Sequence, residues 1–260
     1  MKIATFNVNS LKVRMENLKV WLKEADPDVV CLQETKSTDE TFPRAELEDL
    51  GYNLAIHGQK TYNGVALISK HPLEDIRIGL PGDDSDEQAR YIEAVIPAGD
   101  TVLRVASIYL PNGNPVDTEK FPYKLRWMER LKAHAAELLT YEEPLVLAGD
   151  YNVIPTADDV YDEKAWEGDA LTQPRSRAAL REIINLGFTD AFRACHAEPH
   201  RYTFWDYQAG RWQKGQGIRI DHLLLSPQAA DRLTGCDIDI APRGREKPSD
   251  HTPIWAKLAF

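Results

Sequence analysis

Short apolar runs, each closed by turn residues, recur along the chain: KIATFNV (2–8), DVVCLQE (28–34), GVALIS (64–69), RYIEAVI (90–96), VLRVASIYL (102–110), PLVLAGD (144–150) and IRIDHLLLS (218–226). Their length and β-branched content predict buried strands. Between them the spacing changes to that of helices: Leu11, Met15, Leu18 and Leu22 share one helical face, as do Leu125, Met128, Leu131, Ala135 and Leu138. A third helix is predicted over 176–186, with Ser176 as N-cap and Gly187 just beyond its end. The first strand, helix and second strand read as a βαβ unit. The stretch 64–110, interrupted by PGDD and PAGD, reads as antiparallel. Together these predict a mixed α/β sandwich, and with no linker or internal repeat the whole span 1–260 is expected to form a single domain.

The ends of the strands carry the chemistry. In α/β sheets ligands bind beyond the carboxyl ends of strands, where loops leave a rigid scaffold. DVVCLQE runs into Gln33 and Glu34, PLVLAGD into Asp150 with Asn152 two places on, KIATF into Asn7, and RVASIY into Tyr109 and Asn112. Taken singly, each is a turn former, a helix cap or a rim aromatic. Taken together they fit one shared site better, because a chain with 41 acidic residues has many cheaper places for a carboxylate than directly after four buried residues.

Asp221 is sharper still, since it lies inside GIRIDHLLL. A buried carboxylate costs several kcal/mol unless a cation or several donors meet it. One partner within reach is Arg219; the functional alternative is a histidine ring whose tautomer and charge Asp221 would fix. His251, in EKPSDHTPIW, fits that role. His57, His71, His134, His196 and His200 have no chemical companions nearby, and His222 projects from the opposite face of the Asp221 strand.

Composition narrows the class without naming it. With 43% hydrophobic and 28% charged residues the chain is of the soluble globular kind. Asn7, Asn9 and Ser10 interrupt what would be a secretory apolar run, and no 18-residue apolar stretch occurs, so a cytoplasmic protein without a membrane segment is expected. Three cysteines without a CxxC suggest neither a disulfide framework nor a zinc site. A net charge of −10 argues against non-specific polyanion binding.

The motifs FNVNSLKVR (6–14), PDVVCLQETK (27–36), YNGVALISK (62–70), IYLPNG (108–113), VLAGDYNVIP (146–155), YTFWDY (202–207), GIRIDHLLLS (217–226) and KPSDHTPIWA (247–256) span nearly the whole chain. In content and order the set resembles the exonuclease III / apurinic-apyrimidinic endonuclease family, within the wider endonuclease-exonuclease-phosphatase superfamily. The resemblance implies a DNase I-like four-layered α/β sandwich, with two mixed, mainly antiparallel sheets flanked by helices. It implies a DNA repair hydrolase that cuts 5′ to abasic sites, trims 3′ ends and removes nucleotides 3′→5′, acting as a monomer on double-stranded DNA. Carried over, Glu34 is the main metal carboxylate, helped by Asn7, with Asp150, Asn152 and Asp250 on the metal side. Asp150 aligns or activates the attacking water, Asn152 and Tyr109 hold the scissile phosphate, and His251, oriented by Asp221, stabilises the transition state. Asn112 and Arg219 would contact substrate, and Phe204, Trp205, Ile218 and Ile220 would line a pocket for a baseless deoxyribose.

Physical logic agrees with this assignment. Glu34, Asp150, Asp250 and Asn7 offer hard oxygens, which suit Mg²⁺, with Mn²⁺ as a substitute, better than zinc. The acidic net charge is answered locally by Arg211, Lys214 and Arg219 and by Arg243, Arg245 and Lys247, since phosphate contacts position a duplex without an overall basic protein. Two alternatives stand beside this reading. Superfamily enzymes acting on inositol phosphates, sphingomyelin or RNA share the GD-x-N and SDH elements, but LQETK, YNGVALISK and GIRID side with the DNA enzymes. A non-catalytic regulator would have lost site residues that this chain keeps. The loop after Asn152 is short, and LTQPRSR lacks the Phe-Leu-Pro-Glu element of bacterial exonuclease III, so a relative keeping only the 3′-end activities also fits.

Overall fold

The computed structural model describes all 260 residues. Its strands are, in chain order, β1 (Lys2–Asn7), β2 (Val29–Gln33), β3 (Asn53–His57), β4 (Val65–Ser69), β5 (Glu74–Ile78), β6 (Tyr91–Ala98), β7 (Thr101–Tyr109), β8 (Leu145–Asp150), β9 (Thr189–Asp190), β10 (Asp221–Leu225), β11 (Leu233–Ile238) and β12 (Ile254–Leu258). They form two six-stranded sheets, ordered β11-β12-β1-β2-β4-β3 and β5-β6-β7-β8-β10-β9. Only β1–β2 and β7–β8 pair in parallel; the other neighbours are antiparallel.

The period-2 alternation of each strand feeds two cores at once. From β1, Ile3 faces the space between the sheets with Val29, Leu67, Ile92, Val105, Val146 and Leu223. Ala4 and Phe6 face outward, under Leu11, Met15, Leu18 and Trp21 of helix α1 (Leu11–Ala25). On the far side Trp127, Met128 and Leu131 cover Ala106, Ile108 and Leu147. They belong to a helix over Lys120–Leu139, packed beside another over Pro174–Ile184. The result is helix, sheet, sheet, helix, the four-layered sandwich expected.

Some local expectations need correcting. The 64–110 stretch is antiparallel but divided, because β4 joins the first sheet while β6 and β7 form a hairpin in the second. The helix expected at 176 begins at Pro174, whose fixed φ and missing N–H suit a first helical position. Ser176 is therefore inside it, and its buried hydroxyl donates to Ala170 O at 2.7 Å instead of capping. Strands β3, β5, β9, β11 and β12 lie outside the predicted runs; every residue of β5 is exposed, and β11 carries Thr234, Gly235 and Asp237, so neither of these two has the apolar run that marks a buried strand. The three cysteines are free. No helix is long and apolar enough to cross a membrane.

Candidate active site

Register assembles the site. In the second sheet Tyr109 of β7 lies beside Asp150 of β8, and Asp150 lies opposite Asp221 of β10, so three polar side chains form a row at one sheet end. Gly149 permits the close packing behind that row, since a Cβ there would come within 1.9 Å of Ile108 O. In the first sheet Asn7 pairs with Gln33, and the chain leaves at Glu34 with φ of 51°. Left-handed backbone in a non-glycine residue is strained. It recurs around the site at Asn9, Lys36, Asn63 and Asn152.

At the site, the Asn7 amide bridges the two sheets. Asn7 Nδ2 donates to Glu34 Oε1 at 2.9 Å and to Asp150 Oδ2 at 3.0 Å. The C-terminal segment closes the ring: Ser249 Oγ donates to Asn7 O at 2.7 Å and accepts from His251 N at 3.2 Å. His251 Nδ1 lies 2.8 Å from Asp221 Oδ2, and its Nε2 lies 3.7 Å from Asp150 Oδ2. Ligand atoms of Glu34, Asp150 and His251 all lie within 4.8 Å of one another.

Electrostatics separate the three groups. Burial works against charge on His251, yet the Asp221 and Asp150 carboxylates overcome it and push its pKa up to about 10, so the ring is a cation. Burial raises Asp150 most, Asp221 and Glu34 add to it and His251 opposes it, which leaves the carboxyl at about 7. Glu34 stays below the usual carboxylate range: burial raises it, but the Lys36 ammonium and the Asn7 amide outweigh that. Burial and the nearby carboxylates raise Tyr109 well above its ordinary value, so its phenol remains a donor. Glu34 and Asp150 thus bring hard oxygens together with only one neutral amide between them, a donor set suited to a divalent cation.

Further hydrogen bonds fix the loops beside Asp150. Asn152 N donates to Asp150 Oδ1 at 2.9 Å, and Asn152 Nδ2 spends one hydrogen on Leu110 O at 2.9 Å. Asn112 Nδ2 donates to Asn152 Oδ1 at 3.1 Å. Lys124, fully buried, clamps both loops by donating to Asn112 O at 3.0 Å and Asn152 O at 2.5 Å.

Several expected residues sit elsewhere. Asp250 is one step outside the converging trio, with Oδ1 accepting from Asn9 Nδ2 at 3.1 Å. Arg219 does not face a substrate: its guanidinium is sealed inside, bound to Asp159 and Asp190 at 2.8 Å each. It is no partner of Asp221. Trp205 is core, packed edge-on against Tyr202 and Trp212. Ile218 and Ile220 are buried with Phe121, Val160 and Leu171. Phe204 alone of that set keeps an accessible face, with its ring 5.0 Å from His251. Conversely, sequence reasoning missed Asn9 and Lys124 and set Lys36 aside as a solvated lysine after a strand end. Lys36 Nζ lies 2.9 Å from Glu34 Oε2 and donates to Asn9 Oδ1 at 2.6 Å; its position two residues after Glu34 was the available signal.

The Arg219 cluster makes an acid-stability prediction. Burial and the adjacent Arg219 charge push His222 down to about 4. Its folded pKa thus lies below the unfolded value of about 6.5, so its neutral form contributes fully above pH 6.5. As pH falls to 4, the unfolded chain binds a proton that the fold refuses, and about 3 kcal/mol of stability is lost. Calorimetric melting between pH 7 and 4 should show a steeper decline in wild type than in His222→Gln; equal slopes would refute it.

The comparisons with known proteins follow this geometry. Residues 4–251 match the Endonuclease/Exonuclease/phosphatase family. The chain is 35% identical to the exodeoxyribonuclease III of Haemophilus influenzae, over 99% of this chain and 100% of that one. Among solved structures it is similar to an AP endonuclease from Archaeoglobus fulgidus, with a TM-score of 0.94 and 39% identity, and to the 3′ phosphatase NExo from Neisseria bound to product DNA hairpin, at 0.95 and 36%. Each structural match covers 100% of both chains. With register, site and comparisons in agreement over its length, the chain belongs to the endonuclease/exonuclease/phosphatase family.

Proposed function

We propose that this protein is a Mg²⁺-dependent DNA repair phosphodiesterase that processes 3′ ends of duplex DNA and incises 5′ to abasic sites. The observation that carries this reading is the convergence of Glu34, Asp150 and a cationic His251 within 4.8 Å. Phosphodiester hydrolysis needs a deprotonated water, neutralised non-bridging oxygens and a stabilised leaving alkoxide. Asp150, held by Asn7 Nδ2 and Asn152 N, is placed to take a proton from water. His251 supplies positive charge from Nε2 where negative charge develops on the phosphoryl group. Tyr109 donates through its phenol, and Asn152 through the amide hydrogen left free by Leu110. Glu34, with Asp150, would hold Mg²⁺, whose chemistry is neutralisation of the phosphate and of the departing oxygen. Every residue comes from one chain, which supports action as a monomer, and the bacterial relative supports a cytoplasmic setting.

A narrower reading is favoured by one observation. Burial of Ile218 and Ile220 leaves only Phe204 to wall a deoxyribose pocket, which fits a 3′-end enzyme with little abasic-site incision. Three duplexes in Mg²⁺ buffer decide the matter: an internal abasic analogue, an undamaged recessed 3′ end and a 3′-phosphate nick. Processing of at least the two 3′ ends is expected. Inert duplexes combined with turnover of an inositol phosphate would overturn the DNA reading.

A further inference from the structure

Arg243 is an anomaly among the buried cations. It is 5% exposed, yet it has no carboxylate partner, whereas Arg219 has two. Nη2 donates to a neutral carbonyl, Trp205 O, at 2.8 Å, and the buried Nε has no partner. The guanidinium lies 5.4 Å from the ring centres of both Tyr207 and Trp212, and those aromatic faces offset its charge only in part. Burial accordingly presses its pKa down. An unpaired buried cation is costly, and an apolar side chain of similar size would serve packing alone at least as well.

Arg243 forms part of the wall of a cleft of about 310 Å³ with Asp206, Tyr207, Trp212, Arg245 and Pro248. The segment that carries Asp206 and Tyr207 also reaches the candidate active site. Trp205 N donates to Asp250 O at 2.8 Å, and Phe204, one residue back, packs on His251. The Tyr207 hydroxyl donates to Pro248 O at 2.8 Å and accepts from Arg14 Nη2 at 2.9 Å. Of the neighbouring charges, Asp206 accepts from Gln208 N at 2.8 Å through Oδ1, and Arg245 is paired with Glu24. A guanidinium framed by aromatics suits a phosphate on a strand that runs past it.

We infer that Arg243 and its aromatic frame form a second anion subsite, taking one backbone phosphate of the DNA strand outside the scissile position. The inference rests on the DNA reading above.

The test is a binding scan with Ca²⁺ in place of Mg²⁺ to suppress turnover. In a duplex with a recessed 3′ end, each backbone phosphate in turn is replaced by a neutral methylphosphonate. One position beyond the scissile phosphate should weaken wild-type binding about tenfold and have no further effect on Arg243→Met, whose salt slope should be shallower by about 0.9. Arg243→Gln, which can still meet Trp205 O, should give the same scan and serves if Arg243→Met does not fold. A scan that is identical in wild type and both variants overturns the subsite while leaving the DNA reading intact. A wild type that binds none of the duplexes overturns the DNA reading and the subsite with it. Inorganic phosphate is the second arm. Calorimetric saturation only at millimolar phosphate supports a strand ligand; binding as tight as the duplex, lost in Arg243→Met, reassigns the cleft to a small phosphate and overturns the inference.

Discussion

Replacing Asp150 by alanine is expected to lower turnover of a recessed 3′ end by at least about a thousandfold, because it removes a proton acceptor and a metal-side oxygen together. Asp150 joins three parts of the site: it accepts from Asn152 N and Asn7 Nδ2, and it faces His251 across 3.7 Å. Burial sets its pKa near the working pH, with His251 pulling it down and Asp221 pushing it up. Duplex affinity should change by no more than about threefold, since backbone phosphates elsewhere carry most of it. Asp150→Asn keeps the shape and the Asn152 contact but cannot take a proton, and should lose as much activity. Steady-state rates measured beside equilibrium binding check this. An alanine variant that keeps a tenth of wild-type turnover would contradict it.

The second large effect concerns Asp221 and His251. His251→Gln and Asp221→Asn should each lower kcat by about a hundredfold or more, and the double variant should lose little beyond either single change, since residues acting as a unit are not additive. The buried Asp221 carboxylate has one partner, His251 Nδ1, and its other oxygen has none. Its charge helps hold the histidine proton to about pH 10 against burial. Without it the His251 pKa falls towards the ordinary 6.5. Asp221→Asn should therefore lose activity as pH rises through neutrality, on a limb at least about one pH unit below that of wild type. Additive losses, or an alkaline limb at the wild-type position, would refute the pairing.

Much of this was legible in the sequence for a stated reason. Asn7, Glu34, Tyr109 and Asp150 stand out because each ends a strand whose preceding residues are apolar, and strand ends converge in this architecture. Asp221 stood out because a carboxylate within an apolar strand needs a partner, and His251 is that partner. What failed to show was direction. Arg219 reads as basic surface, but it lies just before β10 and its guanidinium turns inward onto Asp159, sixty residues earlier, and Asp190. Ile218 and Ile220 read as pocket wall, but packing against Phe121 and Leu171 makes them core. Lys124 sits in an ordinary helical pattern. Nothing local reveals that its ammonium meets the carbonyls of Asn112 and Asn152, which the fold alone brings together.

The central claim is that Glu34, Asp150 and His251 form one metal-dependent hydrolytic centre. Its most direct test is turnover of the recessed 3′ end by a single sample, measured in Mg²⁺, after excess EDTA, and after Mg²⁺ is restored. Loss of activity in EDTA and full recovery with Mg²⁺ is the expected result; undiminished cleavage in EDTA would contradict the account.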